Sequence, residues 1–181
     1  MYVCRMVYVL EKEEMLKEKF EFREIRQDEI EQAVRIEQIC FPPHEACKEE
    51  HMTERIQKVP ELFFVAVDKE NGKVAGFLNG IATSEEKFRD EFFTDADLNE
   101  PAGKHVMLLG LDVLPEYRRK GIACALTSRL ALEILKEGKV PFYCCAWSNI
   151  KSAGNAIKSG FRPAWVEMTV KPASFVDEMN K

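Results

Sequence analysis

The sequence predicts an α/β fold: a mixed, mainly antiparallel sheet of six to seven strands with helices on both faces. Three observations lead there. The strand-like segments of the first half come as a hairpin, and the second half alternates β-α-β-α-β. No repeat, low-complexity tract or flexible linker divides the 181 residues. Residues 20–171 read as a single domain, preceded by an extension at 1–19 (a strand or a frayed end) and followed by a tail at 172–181.

The elements follow in order. Phe20–Arg26 alternates with a period of two and reads as a strand. Asp28 stands three residues before Glu31, a capping-box spacing, and Ile30, Ala33, Val34, Ile36 and Cys40 follow on one helical face. Pro42-Pro43 stops that helix. A second helix is expected over Glu45–Lys58, ending before Pro60. Leu62–Val67 and Val74–Ile81 then form a hairpin around Asn71-Gly72. His105–Leu114 is a nearly continuous apolar run, as in a strand buried on both faces. Gly121–Glu137 is an amphipathic helix with Gly138 as its stop. Val140–Trp147 is a strand, Asn149–Ser159 a short helix, and Phe161–Val170 a closing strand.

Composition narrows the function classes. Hydrophobic residues make up 46% and charged residues 31%, which argues against wholesale disorder. No apolar run approaches the ~18 residues of a membrane helix, so no membrane partner is expected. The net charge of −5 leaves no footprint for nucleic acid. The excess is local: residues 84–103 hold Glu85, Glu86, Asp90, Glu91, Asp95, Asp97 and Glu100 against Lys87 and Arg89. The apolar start Met1–Leu10 lacks the basic front and cleavage site of a secretory signal. The six cysteines form no C-x-x-C pair, so reduced thiols in the cytoplasm are expected, and no metal site.

The strongest signal is LDVLPEYRRKGIACALTSRLALEIL. A buried strand ends, a charged turn follows, and Gly121 opens a long helix. Such an opening presents unpaired N–H groups at the positive end of the helix dipole, a site for phosphate. Gly121 admits a close backbone approach, Ala123 keeps the next turn slim, and Arg118, Arg119 and Lys120 add positive charge. A plain strand–turn–helix with surface charges is the competing reading.

Here the sequence resembles the GNAT superfamily of acyl-CoA N-acyltransferases. Its Gln/Arg-x-x-Gly-x-Gly/Ala motif is met by Arg118, Gly121 and Ala123. In VPFYCCAWSNIKSAGNAIKSGF, Asn149 and Gly160-Phe161 match an Asn and a Gly-Phe pair common after the fifth strand. The likeness covers about Phe20 to Val170. It implies that the fourth and fifth strands splay apart and that acetyl-CoA is the co-substrate. The main chain of Leu111, Asp112 and Val113 would pair with the pantetheine arm, and the N–H groups of Arg119, Lys120, Gly121, Ile122 and Ala123 would hold the pyrophosphate beside Arg118. Asn149 and Asn155 are candidate side-chain contacts, against helix N-cap and solvated-residue roles respectively.

The resemblance implies an enzyme, an acyl-CoA-dependent N-acetyltransferase attacking directly without a covalent intermediate. The proton-transfer groups of relatives are missing. The Glu or His of the fourth strand, eleven residues before the motif's Arg, is Met107, its companion is Leu109, and the Tyr that protonates the leaving thiol is Ala156. His105 shares strand parity with Met107 and Leu109, about 6.6 Å further upstream, and is the catalytic candidate through a water chain, against the reading of a polar residue at a strand's exposed start. His44 and Glu37 are acceptor-side alternatives. Cys144 and Cys145 are expected to pack, and Phe92-Phe93 to anchor the acidic segment or to line the acceptor pocket.

FREIRQDEIEQAVRIEQICFP and VPELFFVAVDKENGKVAGFLNG also resemble the arylalkylamine (serotonin) N-acetyltransferase branch. This favours a small-molecule primary amine as the acceptor, with a second copy of the chain as a candidate homodimer partner. Two alternatives stay open: a protein N-terminal or lysine acetyltransferase, and a non-catalytic acetyl-CoA-binding regulatory module.

Overall fold

Five strands cross one sheet in sequence order in the computed structural model, which describes residues 16–146, 148–164 and 166. They are β1 (Phe20–Glu24), β2 (Phe63–Asp68), β3 (Val74–Thr83), β4 (His105–Val113) and β5 (Val140–Tyr143). The first three pairings are antiparallel, and β4 pairs with β5 in parallel. A parallel pair needs a crossover, and helix α3 (Ile122–Lys136) supplies it. Before it come α1 (Ile30–Cys40) and α2 (Glu49–Lys58), and α4 (Ile150–Lys158) follows β5.

Apolar spacing assigns each helix to a face. Ile122, Leu126, Leu130 and Ile134 of α3 pack on Phe64, Ala66, Leu78, Val106 and Leu108. On the opposite face, Ala33, Val34 and Ile36 of α1 and Met52 and Ile56 of α2 cover Phe63, Val65 and Phe77. Each large aliphatic side chain buried this way contributes about 1.5–3 kcal/mol. A third, smaller cluster joins Ile81, Met107 and Phe92, and it pins the acidic segment to the sheet.

Several expectations are corrected. The described residues hold five strands, not six to seven. Residues 161–164 and 166 make no ladder, since Phe161 turns back onto Tyr143 and Pro163 has no N–H to offer. The rest of the expected closing strand, Trp147 and Trp165, and residues 1–15 lie outside the described residues. Strand β5 stops at Tyr143, not at 147. The second helix begins at Glu49, because Pro42–Ala46 form a turn closed by the N–H groups of Glu45 and Ala46 on Pro42 O. The capping box sits two residues earlier than its expected place. Glu29 accepts from Arg26 N–H at 2.9 Å and takes two bonds from Arg23, at 2.6 and 2.8 Å. The Arg23 bonds and the Arg26 N–H hold its carboxyl below the usual range despite burial.

One irregularity positions everything that follows. Leu78 stands opposite Leu111 and Gly80 opposite Leu108, so Asn79 alone faces Leu109 and Gly110. Strand β4 therefore carries a bulge there. Before it, Val106 and Leu108 face α3; after it, Leu111 and Val113 do. The extra residue moves Asp112 to the α1 side.

Candidate active site

The parallel ladder between β4 and β5 runs only from His105↔Val140 to Leu108↔Tyr143. Beyond that rung the strands part, and a cleft of about 560 Å³ opens between them. Leu108, Leu109, Leu111, Asp112 and Val113 form one wall; Tyr143, Cys144, Cys145 and Ala146 form the other. Arg118 and Ala123 close one end, and Asn149, Lys151, Ser152 and Asn155 of the α4 region lie alongside. The fourth strand is half-exposed over Leu109–Leu111, unlike the strand buried throughout that its apolar run suggests.

The turn leading into α3 is shaped for close approach. Pro115–Tyr117 makes one 3-10 turn, after which Arg119 takes φ 63° and Gly121 φ 94°. The left-handed conformation is open to Gly but costs about 1–2 kcal/mol for Arg119, the kind of strain found at binding sites. Gly121 has no side chain to cap α3, and the first intrahelical bond is Ala125 N–H to Gly121 O at 3.0 Å. The N–H groups of Ile122, Ala123 and Cys124 precede it and have no helical acceptor.

The side chains around the turn are engaged. Arg118 donates from Nε to Val113 O at 2.9 Å and from a terminal nitrogen to Cys40 Sγ at 3.6 Å. Lys120 Nζ lies 4.8 Å from the centre of the Tyr117 ring, whose hydroxyl donates to Asp68 at 2.8 Å. The Ile122 side chain is in the core, which leaves its main chain as the available part. Arg119, Lys120, Gly121 and Ile122 are not cleft-lining residues; they form the rim between Arg118 and Ala123.

The remaining sequence candidates separate clearly. Asn149 accepts from Ser152 N–H at 3.0 Å, the N-cap role, while also lining the cleft. Asn155 Nδ2 donates to Thr127 Oγ1 at 3.1 Å, tying α4 to α3. His105 sits at the start of β4, three residues before the cleft-lining Leu108. Its Nδ1 lies 2.9 Å from Glu85 O and its ring rests edge-on against Phe142. Met107 is 1% exposed, packed under Phe92. Ala156 is buried in α4, away from the cleft lining. His44 is exposed beside Glu45. Phe92 anchors the acidic segment, and Arg55 holds it by donating to Phe92 O and Phe93 O at 2.8 and 2.7 Å.

Other groups take roles that differ from the sequence expectation or lie outside it. Cys144 and Cys145 are exposed on the cleft rather than packed, because β5 ends before them. Tyr143 Oη and Ser152 Oγ share a 2.9 Å hydrogen bond on the far wall. Asp112 is 2% exposed, and its Oδ2 has no hydrogen-bond partner. Beside it stand Glu37, 6% exposed, and Cys40. Burial, then the Glu37 charge, pushes the Asp112 carboxyl up to about 9. Burial also raises the Cys40 thiol to about 11, so it stays a thiol at neutral pH. The available signal was a lone acid inside an apolar strand run, a placement that demands a partner.

Residues 26–161 match the family model described as the acetyltransferase (GNAT) family. Comparison with curated proteins gives no match. Among solved structures, the chain is similar to the loading GNATL domain of CurA from Lyngbya majuscula, with 18% identity and a TM-score of 0.56; the match covers 63% of this chain and 57% of that domain. It is also similar to AAC(6')-Iy in complex with the bisubstrate analog CoA-S-monomethyl-acetylneamine, at 15% identity and a TM-score of 0.64, covering 84% of this chain and 97% of that one. A third likeness is to the ribosomal-protein-S18-alanine N-acetyltransferase from Escherichia coli, at 19% identity and a TM-score of 0.59, covering 81% and 79%. At these identities the structural likenesses speak for the fold. The matching model is that of the family at large and does not single out the arylalkylamine branch.

Proposed function

The chain belongs to the GNAT acetyltransferase family, and from that premise we propose that it moves an acetyl group from acetyl-CoA to the primary amine of a small molecule. The observation that carries this reading is the unpaired edge of β4 beyond Leu108↔Tyr143, running directly to the amide-rich start of α3. An extended amide-bearing arm pairs with such an edge as an added strand does. The main chain of Leu111, Asp112 and Val113 would hold it, and the N–H groups from Arg119 to Ala123 would meet the pyrophosphate. Asn149 and Asn155 stand along the same path. Acetyl-CoA supplies the activated acyl thioester. The high thiol pKa of Cys40 favours direct transfer to the amine over an acylated cysteine.

A small-molecule acceptor is supported by the likeness to an aminoglycoside N-acetyltransferase. It is also supported by the acidic segment beside the sheet, which attracts cations. A protein amino group is the second reading, favoured by the likeness to the S18-alanine enzyme. We place the protein in the cytoplasm on the same reading; no described helix is long and apolar enough to cross a membrane.

The test is thiol release from acetyl-CoA with a panel of small primary amines and of peptides with free N-termini or lysines. Turnover confined to small amines is the expected result. Turnover confined to peptides selects the second reading. Tight acetyl-CoA binding without any turnover makes the chain a regulatory acetyl-CoA-binding module.

A further inference from the structure

Relatives' proton-transfer positions are occupied here by Met107 in the core and Ala156 in α4, and His105 lies off the cleft. The cleft wall nevertheless carries a buried acid, with a second acid behind it. Asp112 reaches the cleft from β4, turned to the α1 side by the bulge at Leu109–Gly110. Glu37 stands behind Asp112 in the last turn of α1, held by Cys47 N–H on its Oε1 at 2.8 Å. The turn at Pro42–Ala46 brings that N–H back to the helix. The two carboxyls are neighbours. Two carboxylates are both acceptors, so only a proton between them makes a bond. This accounts for Asp112 Oδ2, which is buried in the cleft wall without a donor.

The surrounding charges do not neutralise the pair. Arg118 attracts Asp112 from the turn before α3, but its guanidinium bonds to Val113 O and Cys40 Sγ. Cys40 of α1 stands beside Asp112, its thiol donating to Val113 O at 3.5 Å. Behind Glu37, Arg55 of α2 bonds Asn79, Phe92 and Phe93, and Cys47 is a half-buried thiol. A buried acid pair without a bonded cation is a site that an ammonium group completes.

We propose that the Asp112–Glu37 pair is the proton acceptor for the incoming amine and selects basic, cationic acceptors; this rests on the acetyl-transfer reading above. The bulge divides the labour of β4. Its main chain at Leu111–Val113 serves the arm of the co-substrate, and the Asp112 side chain faces the acceptor side. In the reaction the ionised pair takes one proton from R–NH₃⁺ and frees the nitrogen lone pair. The C–N bond forms, and the C–S bond breaks with its electron pair going to sulfur. The second nitrogen proton passes to sulfur to give the thiol, and the pair returns its proton to water. The Asp112 value of about 9 is near that of an alkylamine at ~10.4, so the proton moves between groups of similar affinity.

The experiment uses the full chain and its Asp112→Asn and Glu37→Gln variants. Three quantities are read: acetyl-CoA affinity by calorimetry, kcat/KM from pH 6 to 10, and carboxyl titration of the free protein by infrared difference spectroscopy. The rate is measured with an alkylamine and with a weakly basic amine that is neutral throughout this range. We expect Asp112→Asn to keep acetyl-CoA affinity, to lose ~10²–10⁴ in kcat/KM, and to lose the infrared titration near pH 9. With the weakly basic amine the wild type should keep a rate limb near 9, which Asp112→Asn abolishes and Glu37→Gln moves to lower pH. Asp112→Asn with wild-type rate and profile would overturn the proposal while leaving acetyl transfer intact. A wild type that binds no acetyl-CoA would overturn both, even if the carboxyl titration is found.

Discussion

Leu108 of β4 pairs with Tyr143 of β5, and this is the last rung before the two strands part. The β4 bulge begins one residue later, opposite Asn79. Separation and bulge therefore coincide, and one local irregularity does two things. It exposes a strand edge to the cleft, and it turns Asp112 from the α3 side of the sheet to the α1 side.

The first prediction concerns stability against pH. Burial raises the folded-state value of Asp112 to about 9, against ~3.9 for an unfolded aspartate. Between these values the folded state binds more protons than the unfolded one. Stability is thus fully present below about pH 4 and is lost as pH rises towards 9, by at most about 1.4 kcal/mol per unit. Urea unfolding from pH 5 to 9 should show this fall in the wild type and a flatter line in Asp112→Asn. Parallel lines would contradict a protonated Asp112.

The second concerns the acidic segment. Arg55 is 2% exposed and donates to Asn79 Oδ1, Phe92 O and Phe93 O. Arg55→Met leaves those acceptors buried without donors, which should cost about 2–4 kcal/mol. Faster hydrogen exchange should appear at Phe92–Asp97 first. Unchanged exchange there would mean that the Phe92 cluster holds the segment alone.

The third separates His105 from the carboxyl pair. An imidazole acting through water would give the rate profile a limb that is lost with the imidazole. With Nδ1 against Glu85 O and the ring on Phe142, His105 is engaged outside the cleft. The expected profile has no such limb, and His105→Gln should leave the limb near 9 in place. A limb that disappears in His105→Gln would restore the histidine to the mechanism.

Much of this architecture is legible in the residues, and the losses have physical causes. The apolar stripe Leu126, Leu130, Ile134 specifies α3, and Asn71-Gly72 specifies the β2–β3 turn, because each pattern is local. The end of β5 is not legible: Cys144 and Cys145 are apolar and strand-compatible, yet β4 turns away and the ladder ends before them. Strict alternation from His105 puts Asp112 with Val106 and Leu108 towards α3. Only the bulge corrects this, and it arises from the pairing of β4 with β3 across Asn79. The Glu37–Asp112 contact joins positions 75 residues apart, which no periodicity reports. The opening of α3 at Gly121 is legible in the local pattern, whereas the capture of Arg118 by Val113 O depends on the fold.

The central claim is that the α3 opening and the free edge of β4 bind acetyl-CoA, and Gly121 tests it most directly. Its φ of 94° strains a β-branched residue, so Gly121→Val alone would mix folding with binding. Asn tolerates this conformation and still brings a side chain to the rim. Calorimetric titration of acetyl-CoA into wild type, Gly121→Asn and Gly121→Val, with unfolding curves alongside, should show binding by the wild type. It should show at least ~10-fold weaker binding by Gly121→Asn, about 1.4 kcal/mol, at near wild-type stability. Wild-type affinity in a folded Gly121→Asn protein would contradict the assignment of the phosphate site.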